Sequence, residues 1–208
     1  MILTPEALGS MEKHYRANFV NSLSGFKSAN LIGTISDKGV TNLALFSSVI
    51  HVGANPPLMG MLFRPVSVAR HTYENIKAAG QFTINHVHSS IYKRAHQTSA
   101  RYPDGVSEFT ECGLTPEYTH AVKAPYVKEA QVKIGLSFEE EKHILANDTI
   151  FLIGRIEEIL LPDNSILEDG VLDIESAGTI AISSLNSYHT TGLLGRLPYA
   201  KPDKPLKD

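Results

Sequence analysis

The chain has almost no cysteine with which to build redox or metal chemistry of its own. Among its 208 residues it contains a single cysteine, Cys112, and no tryptophan. One cysteine excludes a disulfide within one chain, and it excludes a Cys-x-x-Cys redox or zinc motif. Any redox chemistry must therefore come from a bound cofactor.

The chain also lacks a strong charge of either sign and long apolar runs. The formal net charge is −3 and the pI is near 6.3, which gives no long-range attraction for nucleic-acid phosphates or an anionic membrane. No run approaches the ~20 apolar residues of a membrane span, and the first residues lack the features of a signal peptide. We therefore expect a cytoplasmic protein with neither nucleic acid nor a membrane as partner.

Several well-known catalytic motifs are missing from the sequence. There is no Gly-x-Gly-x-x-Gly, and the pair Gly192 and Gly195 lacks both the preceding strand and the spacing of a Rossmann fingerprint. The Gly-x-Ser-x-Gly, His-Glu-x-x-His and Gly-x-x-x-x-Gly-Lys patterns of hydrolases and phosphate loops are absent as well. A dinucleotide-binding α/β sheet is thus disfavoured.

What the sequence does contain predicts one mainly β domain over residues 1–208. With 42% hydrophobic and 20% charged residues, the chain has enough apolar material for a packed core. Apolar patterning and turn residues predict strands over residues 29–36, 40–46, 57–63, 81–87, 132–138 and 149–161. Two helices are predicted, one over residues 11–23 with Ser10 as N-cap and one over residues 72–80 with Thr72 as N-cap.

These elements favour an antiparallel, Greek-key-like β-barrel with peripheral helices. Asp37-Lys38-Gly39 joins the first two strands with glycine placed for a hairpin, and few long helices separate the others. The continuous apolar run over residues 57–63 predicts a strand buried on both faces. The Lys- and Pro-rich C-terminus is expected to be a mobile tail.

Ser47 and Ser48 leave the second strand just before a proline-rich turn. Irregular backbone after a strand can point several N–H and hydroxyl donors to one place, so this segment is a candidate anion-binding concavity. A serine-rich turn without a ligand is the structural alternative.

Arg64 and Arg70 precede the predicted helix start at Thr72. Guanidinium groups match phosphate oxygens, and a helix N-terminus adds oriented N–H donors, so this block suits a phosphate of charge about −1.5 to −2. Solvated surface arginines are the alternative interpretation.

The two blocks together resemble the flavin reductase-like family, whose fold is an FMN-binding split barrel. The resemblance covers roughly residues 20–160 and is carried, in order and spacing, by Asn42-Leu43-Ala44, Ser47-Ser48, Pro56-Pro57, Thr72-Tyr73-Glu74-Asn75-Ile76 and Phe82-Thr83-Ile84-Asn85. Arg70-His71, where many relatives carry an acidic residue, points to a flavoredoxin-like subgroup.

The resemblance implies a homodimer with one FMN in each of two grooves at the subunit interface. It also implies hydride transfer from NADH or NADPH to flavin, and onward transfer to free flavin, a ferric complex or a protein acceptor. An electron carrier that binds flavin without NAD(P)H turnover is the alternative function. The residues implied in FMN binding are Asn42, Phe46, Ser47 and Ser48 along the flavin, Arg64, Arg70, His71 and Thr72 near the phosphate, and Lys27 and Ser28 near the ring or ribityl chain.

Five further side chains are candidates for contact with the nicotinamide or the flavin ring. His86 and His96 could line the pocket or satisfy backbone groups, and no nearby cysteine or paired carboxylate completes a metal site around them. Glu108 could cover the flavin or lie in a surface loop. Tyr188 and His189 could stack on a ring, or their segment could pack on a partner subunit.

Overall fold

The structure is a computed structural model that describes residues 1–204. The end of the predicted mobile tail, residues 205–208, lies outside the described residues. The helices are α1 (Pro5–Ser10), α2 (Lys13–Ser22), α3 (His71–Ala79), α4 (Tyr92–Gln97) and α5 (Glu108–Glu111). The strands are β1 (Lys27–Ser28), β2 (Asn30–Ile35), β3 (Thr41–Phe46), β4 (Ile50–Ala54), β5 (Pro57–Phe63), β6 (Gln81–His86), β7 (Pro116–Glu117), β8 (Tyr126–Val127), β9 (Lys133–Ile144), β10 (Thr149–Leu160), β11 (Ala181–Ser183) and β12 (Ser187–His189).

Seven of the strands form one antiparallel sheet, in the order β3-β2-β6-β9-β10-β5-β4. β3 and β4 are its two edges, and in residues 1–204 no ladder joins them, so the sheet stays open there. Residues 47–49 connect these two edges. The predictions of a mainly β chain and of the β2–β3 hairpin are confirmed.

The core lies on both faces of β2. The neighbours Leu31 and Ile32 are both fully buried, and they belong to two different apolar clusters. Ile32 packs with Phe82 and Leu136 on one face of the sheet. Leu31 packs on the opposite face, with Phe109 and the side of the molecule that carries α4 and α5. Burying one such side chain stabilises the fold by roughly 1.5 to 3 kcal/mol. Both faces of β2 therefore hold neighbouring elements in place.

A second, three-stranded sheet brings the C-terminal part of the chain back to its beginning. Its order is β1-β11-β12, and Lys27 of β1 pairs with Ile182 of β11. None of the helices in residues 1–204 is both long and apolar enough to cross a membrane.

Two predicted helix caps are wrong. The N-cap position of α3 is Arg70 and has no side-chain cap, because the Thr72 hydroxyl donates to Asn42 Oδ1 at 2.8 Å instead. The second helix begins at Lys13 rather than after Ser10, since the Glu12 carboxylate accepts from the backbone N–H of two following residues. The predicted end of α3 is confirmed, because Gly80 adopts the left-handed conformation with φ of 70°.

The prediction that residues 57–63 are buried on both faces is also wrong. Leu62 is 42% exposed, and the burial of β5 alternates over part of its length. β5 pairs with the edge strand β4, and Leu62 lines a cavity instead of packing in the core. The apolar run does not distinguish such a strand from a central one.

Candidate functional site

A cavity of about 550 Å³ opens beside the split in the main sheet. It lies between the end of β3, the start of α3 and the segment after α4. Its volume is in the range of small-molecule sites, roughly 300 to 1,000 Å³. Ten of the side chains predicted for the site line it: Asn42, Phe46, Ser47, Ser48, Arg64, Arg70, His71, Thr72, His96 and Glu108.

A buried hydrogen-bond network forms one wall of the cavity. Asn42 Oδ1 accepts from the hydroxyls of Thr34 at 3.2 Å and Thr72 at 2.8 Å. Asn42 Nδ2 donates to Glu108 Oε2 at 2.7 Å, and the backbone N–H of Leu43 donates to the same oxygen at 2.9 Å. Asn42 and Glu108 are 7% and 6% exposed, so this network joins β2, β3, α3 and α5 away from bulk water.

Buried hydrogen bonds explain the position of the asparagines in the sequence motifs. Asn75, one turn after Thr72, donates through Nδ2 to Thr34 Oγ1 at 3.1 Å and so closes the same network. Asn85, at the end of the next motif, is fully buried and accepts from Val127 N at 2.9 Å. These asparagines satisfy buried backbone and hydroxyl groups, which fixes their position along the chain.

The start of α3 and the two arginines around it make the cavity cationic. Arg64 follows β5 directly, and Arg70 precedes the first residue of the nine-residue helix α3. Arg70 Nε donates to Pro65 O at 3.3 Å, which steadies its guanidinium, while Arg70 N donates to Glu74 Oε1 at 3.0 Å. The first helical N–H groups have no intrahelical partner and can bind an anion there.

The two predicted serines differ in the structure. Ser48 Oγ donates to Leu62 O at 3.1 Å and accepts from Leu62 N at 3.2 Å, so Ser48 bridges the chain to β5. Ser47 makes no side-chain hydrogen bond within residues 1–204 and lines the cavity, which leaves its hydroxyl available for a ligand. Phe46 packs edge-on against Phe63 with ring centroids 5.0 Å apart and adds an apolar surface.

The remaining predicted residues lie outside the cavity lining. Lys27 Nζ donates to Asn21 O at 3.1 Å, and Ser28 Oγ accepts from Asn30 Nδ2 at 2.8 Å. His86 Nδ1 lies 3.1 Å from Thr179 Oγ1. Burial lowers the pKa of His86 to about 4, so this imidazole is neutral at physiological pH.

The two predicted residues of β12 lie behind the wall formed by α4. Tyr188 OH and His96 Nδ1 are 2.9 Å apart, and His96 lines the cavity. His189 Nε2 lies 2.8 Å from Ser183 Oγ, and its ring contacts Phe26 with centroids 4.8 Å apart. In residues 1–204, no three His, Cys, Asp or Glu side chains form a group able to hold a metal ion.

Several residues of the cavity lining were not identified from the sequence. They are Asn21 from α2, the polar segment Thr98, Ser99 and Arg101 after α4, and Ile182 and Leu185 from the C-terminal sheet. The polar segment has no periodicity, and the pairing of β1 with β11 joins residues more than 150 positions apart. None of these residues belongs to a sequence motif, so no local signal identifies them.

The fold is similar to that of several solved structures. A protein of Shewanella frigidimarina NCIMB 400, assigned as a flavin reductase with a split barrel domain, is 52% identical; the match covers 96% of this chain and 100% of that chain, with a TM-score of 0.93. Nitrilotriacetate monooxygenase component B of Bacillus cereus has a TM-score of 0.82 at 21% identity, with coverage of 95% and 98%.

Flavoredoxin of Desulfovibrio vulgaris (Miyazaki F) has a TM-score of 0.74 at 22% identity, covering 86% of this chain and 94% of that chain. These similarities confirm the predicted split barrel. The sequence model of the flavin reductase like domain matches residues 23–176, which is most of the chain. The chain therefore belongs to the flavin reductase like domain family.

Proposed function

We propose that the cavity binds FMN and that the chain is an NAD(P)H-dependent oxidoreductase of the flavin reductase type. The observation that carries this proposal is the charge of the cavity lining. Three arginines, Arg64, Arg70 and Arg101, and one acidic residue, Glu108, line the cavity, so the formal charge of its lining is two positive charges. A phosphate monoester of charge about −1.5 to −2 balances them.

The donor set of the cavity also suits the rest of FMN. Arg64 and Arg70 beside the start of α3 would hold the phosphate, since guanidiniums bind phosphate oxygens in a bidentate manner. Phe46 offers an apolar face to the ring, and the free Ser47 hydroxyl offers a donor or acceptor for its polar edge. Asn42 would hold Thr72 and Glu108 in place through the network.

FMN, when bound, supplies two-electron hydride chemistry at its ring. The role of this chain is to bind and orient the flavin, and no side chain of the cavity needs to act as a general base. Membership in the flavin reductase like domain family supports NADH or NADPH as the electron donor, and a free flavin, a ferric complex or a protein as the acceptor.

We further propose that two chains pair as a homodimer with the flavin sites at the interface. Large apolar side chains are exposed on the surface, among them Leu23 and Phe26 after α2. Leu194 and Tyr199 near the C-terminus are almost fully exposed as well. Exposed apolar patches of this kind are typical of subunit contacts. Light scattering on the purified protein would give twice the chain mass if this is right.

An electron carrier without NAD(P)H turnover is the second candidate function. It is favoured by the fold similarity to a flavoredoxin and by Ile182 and Leu185, which close one wall of the cavity. If this apolar wall shields the ring, nicotinamide cannot stack on it, whereas electrons can still pass to a protein partner.

The visible absorbance of the FMN-loaded protein distinguishes these functions. We expect the flavin band to bleach rapidly when NADH or NADPH is added without oxygen. A bound flavin that neither nicotinamide reduces, but dithionite does, would identify the electron carrier. A protein that takes up no FMN would contradict both.

The phosphate site is tested separately by removing one charge. Arg64→Gln should weaken FMN binding about tenfold or more, because a hydrogen bond to a charged group contributes roughly 1.5 to 3 kcal/mol. Lys128→Gln removes an equal charge from an exposed position away from the cavity and serves as the control. Equal FMN affinities of the two variants would contradict the phosphate assignment.

A further inference from the structure

His96 lines one wall of the cavity, and Tyr188 forms a hydrogen bond with it. His96 belongs to the last turn of α4, and Tyr188 belongs to β12, beyond the part of the chain that the family model matches. Tyr188 OH and His96 Nδ1 are 2.9 Å apart, and the rings meet edge to face with an interplanar angle of 89°. The C-terminal sheet thus reaches the cavity through this pair.

The acceptors available to Tyr188 and His96 indicate which of the two donates the hydrogen bond between them. Burial raises the pKa of Tyr188 to about 12, so its phenol keeps its proton at neutral pH. Within residues 1–204 the phenol has one hydrogen-bond partner, His96 Nδ1. If Nδ1 carried a proton and donated, the phenol proton would have no acceptor among residues 1–204. The arrangement in which Tyr188 donates to Nδ1 gives both groups a partner within the protein, and it places the imidazole proton on Nε2.

The other nitrogen of His96 is free to serve a ligand. His96 lines the cavity, and Nε2 makes no hydrogen bond in the described part of the chain. We propose that Tyr188 fixes His96 in the Nε2–H form and that His96 then donates a hydrogen bond to an amide-type carbonyl oxygen of the ligand. This proposal rests on the proposed function, because the ring of FMN and the carboxamide of nicotinamide both carry such an oxygen.

The N–H donor of His96 suits a carbonyl oxygen better than the other polar groups near it. The guanidinium of Arg101 also lines this side of the cavity, and it matches an anionic group. The opposite tautomer of His96 would turn a lone pair toward the carbonyl oxygen and repel it. Tyr188 is thus a positioning residue, and it links the C-terminal sheet to ligand recognition at α4.

The tautomer is tested first, on the protein without ligand. Nitrogen-15 NMR distinguishes a protonated from an unprotonated imidazole nitrogen, and the His96→Ala spectrum identifies the signal. We expect a proton on Nε2 and none on Nδ1, with mixed tautomers in Tyr188→Phe. Tyr92→Phe is the matched control, because Tyr92 packs on Tyr188 with ring centroids 5.5 Å apart. A proton on Nδ1 in the unmodified protein would overturn the proposal.

The ligand contact is tested by titrating FMN and by steady-state kinetics with NADH and NADPH. His96→Ala should weaken one of these ligands about tenfold, and Tyr188→Phe about threefold, as expected for a lost or misdirected hydrogen bond. His96→Gln should recover most of the loss, because its amide nitrogen also donates. A weaker FMN affinity assigns the carbonyl to the flavin; a raised KM with unchanged kcat and FMN affinity assigns it to nicotinamide.

Two results would overturn the contact. The first is a Tyr188→Phe variant that matches Tyr92→Phe for every ligand, and the second is a His96→Gln variant no better than His96→Ala. If the unmodified protein binds neither FMN nor nicotinamide, the proposed function fails and the ligand contact fails with it. The NMR spectrum decides the tautomer in that case as well, so the two failures can be told apart.

Discussion

Replacing Asn42 by aspartate would place two carboxylates together inside the buried network. Asn42 Nδ2 lies 2.7 Å from Glu108 Oε2, and aspartate has nearly the same shape as asparagine. Both positions are at least nine-tenths buried, so water cannot separate the charges. We expect Asn42→Asp to fold with one proton shared between the two carboxyls, which then keep a hydrogen bond between them.

The loss of stability in Asn42→Asp is set by the less costly of two states: both carboxyls ionised, or one of them protonated. Two charges 2.7 Å apart repel by about 6 kcal/mol at an effective dielectric constant of about 20. Holding a carboxyl of ordinary pKa about 3.9 protonated costs only about 4 kcal/mol at pH 7 and about 1.5 kcal/mol at pH 5. The state with one protonated carboxyl is therefore favoured. Asn42→Asp should lose about 4 kcal/mol of stability at pH 7 and about 1.5 kcal/mol at pH 5.

The sign of the pH dependence follows from proton uptake. The folded variant binds one proton more than the unfolded chain above the ordinary pKa of a carboxyl, so its stability falls as the pH rises. Urea unfolding at pH 5, 6 and 7, each compared with the unmodified protein, measures this slope. The Asn42→Asp/Glu108→Gln double variant has one carboxyl left at this place, so its slope should vanish.

A loss of stability that is the same at pH 5 and pH 7 would refute this reasoning. It would mean that the side chains at positions 42 and 108 do not meet in the folded protein. The wall of the cavity would then be built differently from the network of Asn42 and Glu108.

Two further predictions concern the core. Because burial lowers the pKa of His86 to about 4, the unmodified protein should lose up to about 3 kcal/mol as the pH falls from about 6.5 toward 4, and urea unfolding of His86→Gln should lack this part of the loss. Gly33→Ala places a methyl group against the backbone oxygen of Pro125 and 2.5 Å from Thr83 Oγ1, so the thermal unfolding temperature of this variant should drop sharply. In the control variant Gly192→Ala the new methyl group meets no atom within 4 Å, so its unfolding temperature should not change. Equal unfolding temperatures of the two variants would contradict the close packing at Gly33.

Local patterns were sufficient to predict the part of the fold that sequence neighbours build. The hairpin from Asn30 to Phe46 follows from two apolar strands and a glycine with φ of 79° at position 39. β9 and β10 follow from alternation and from the apolar run after Thr149. β4 was missed although Ile50 and Val52 alternate with His51 and Gly53, because its five residues stand between a serine pair and a proline-rich turn and were interpreted as part of that turn.

The candidate site was predictable where its residues lie in motifs, and unpredictable where distant segments meet. Thr72 lines the cavity, but its hydroxyl donates to Asn42 instead of capping α3 as predicted. Arg101 lies in a segment without periodicity, and the wall formed by Ile182 depends on the pairing of β11 with β1, which no local pattern encodes. The role of Tyr188 behind His96 has the same origin.

The central claim, that the arginines beside α3 hold the phosphate of FMN, is tested most directly by comparing FMN with riboflavin. Riboflavin has the same ring and ribityl chain but no phosphate, so a fluorescence titration of both isolates the phosphate contribution. We expect FMN to bind at least about tenfold more tightly at low salt, with the difference shrinking as the salt concentration rises. Equal affinities for FMN and riboflavin, or no binding of either, would contradict the claim.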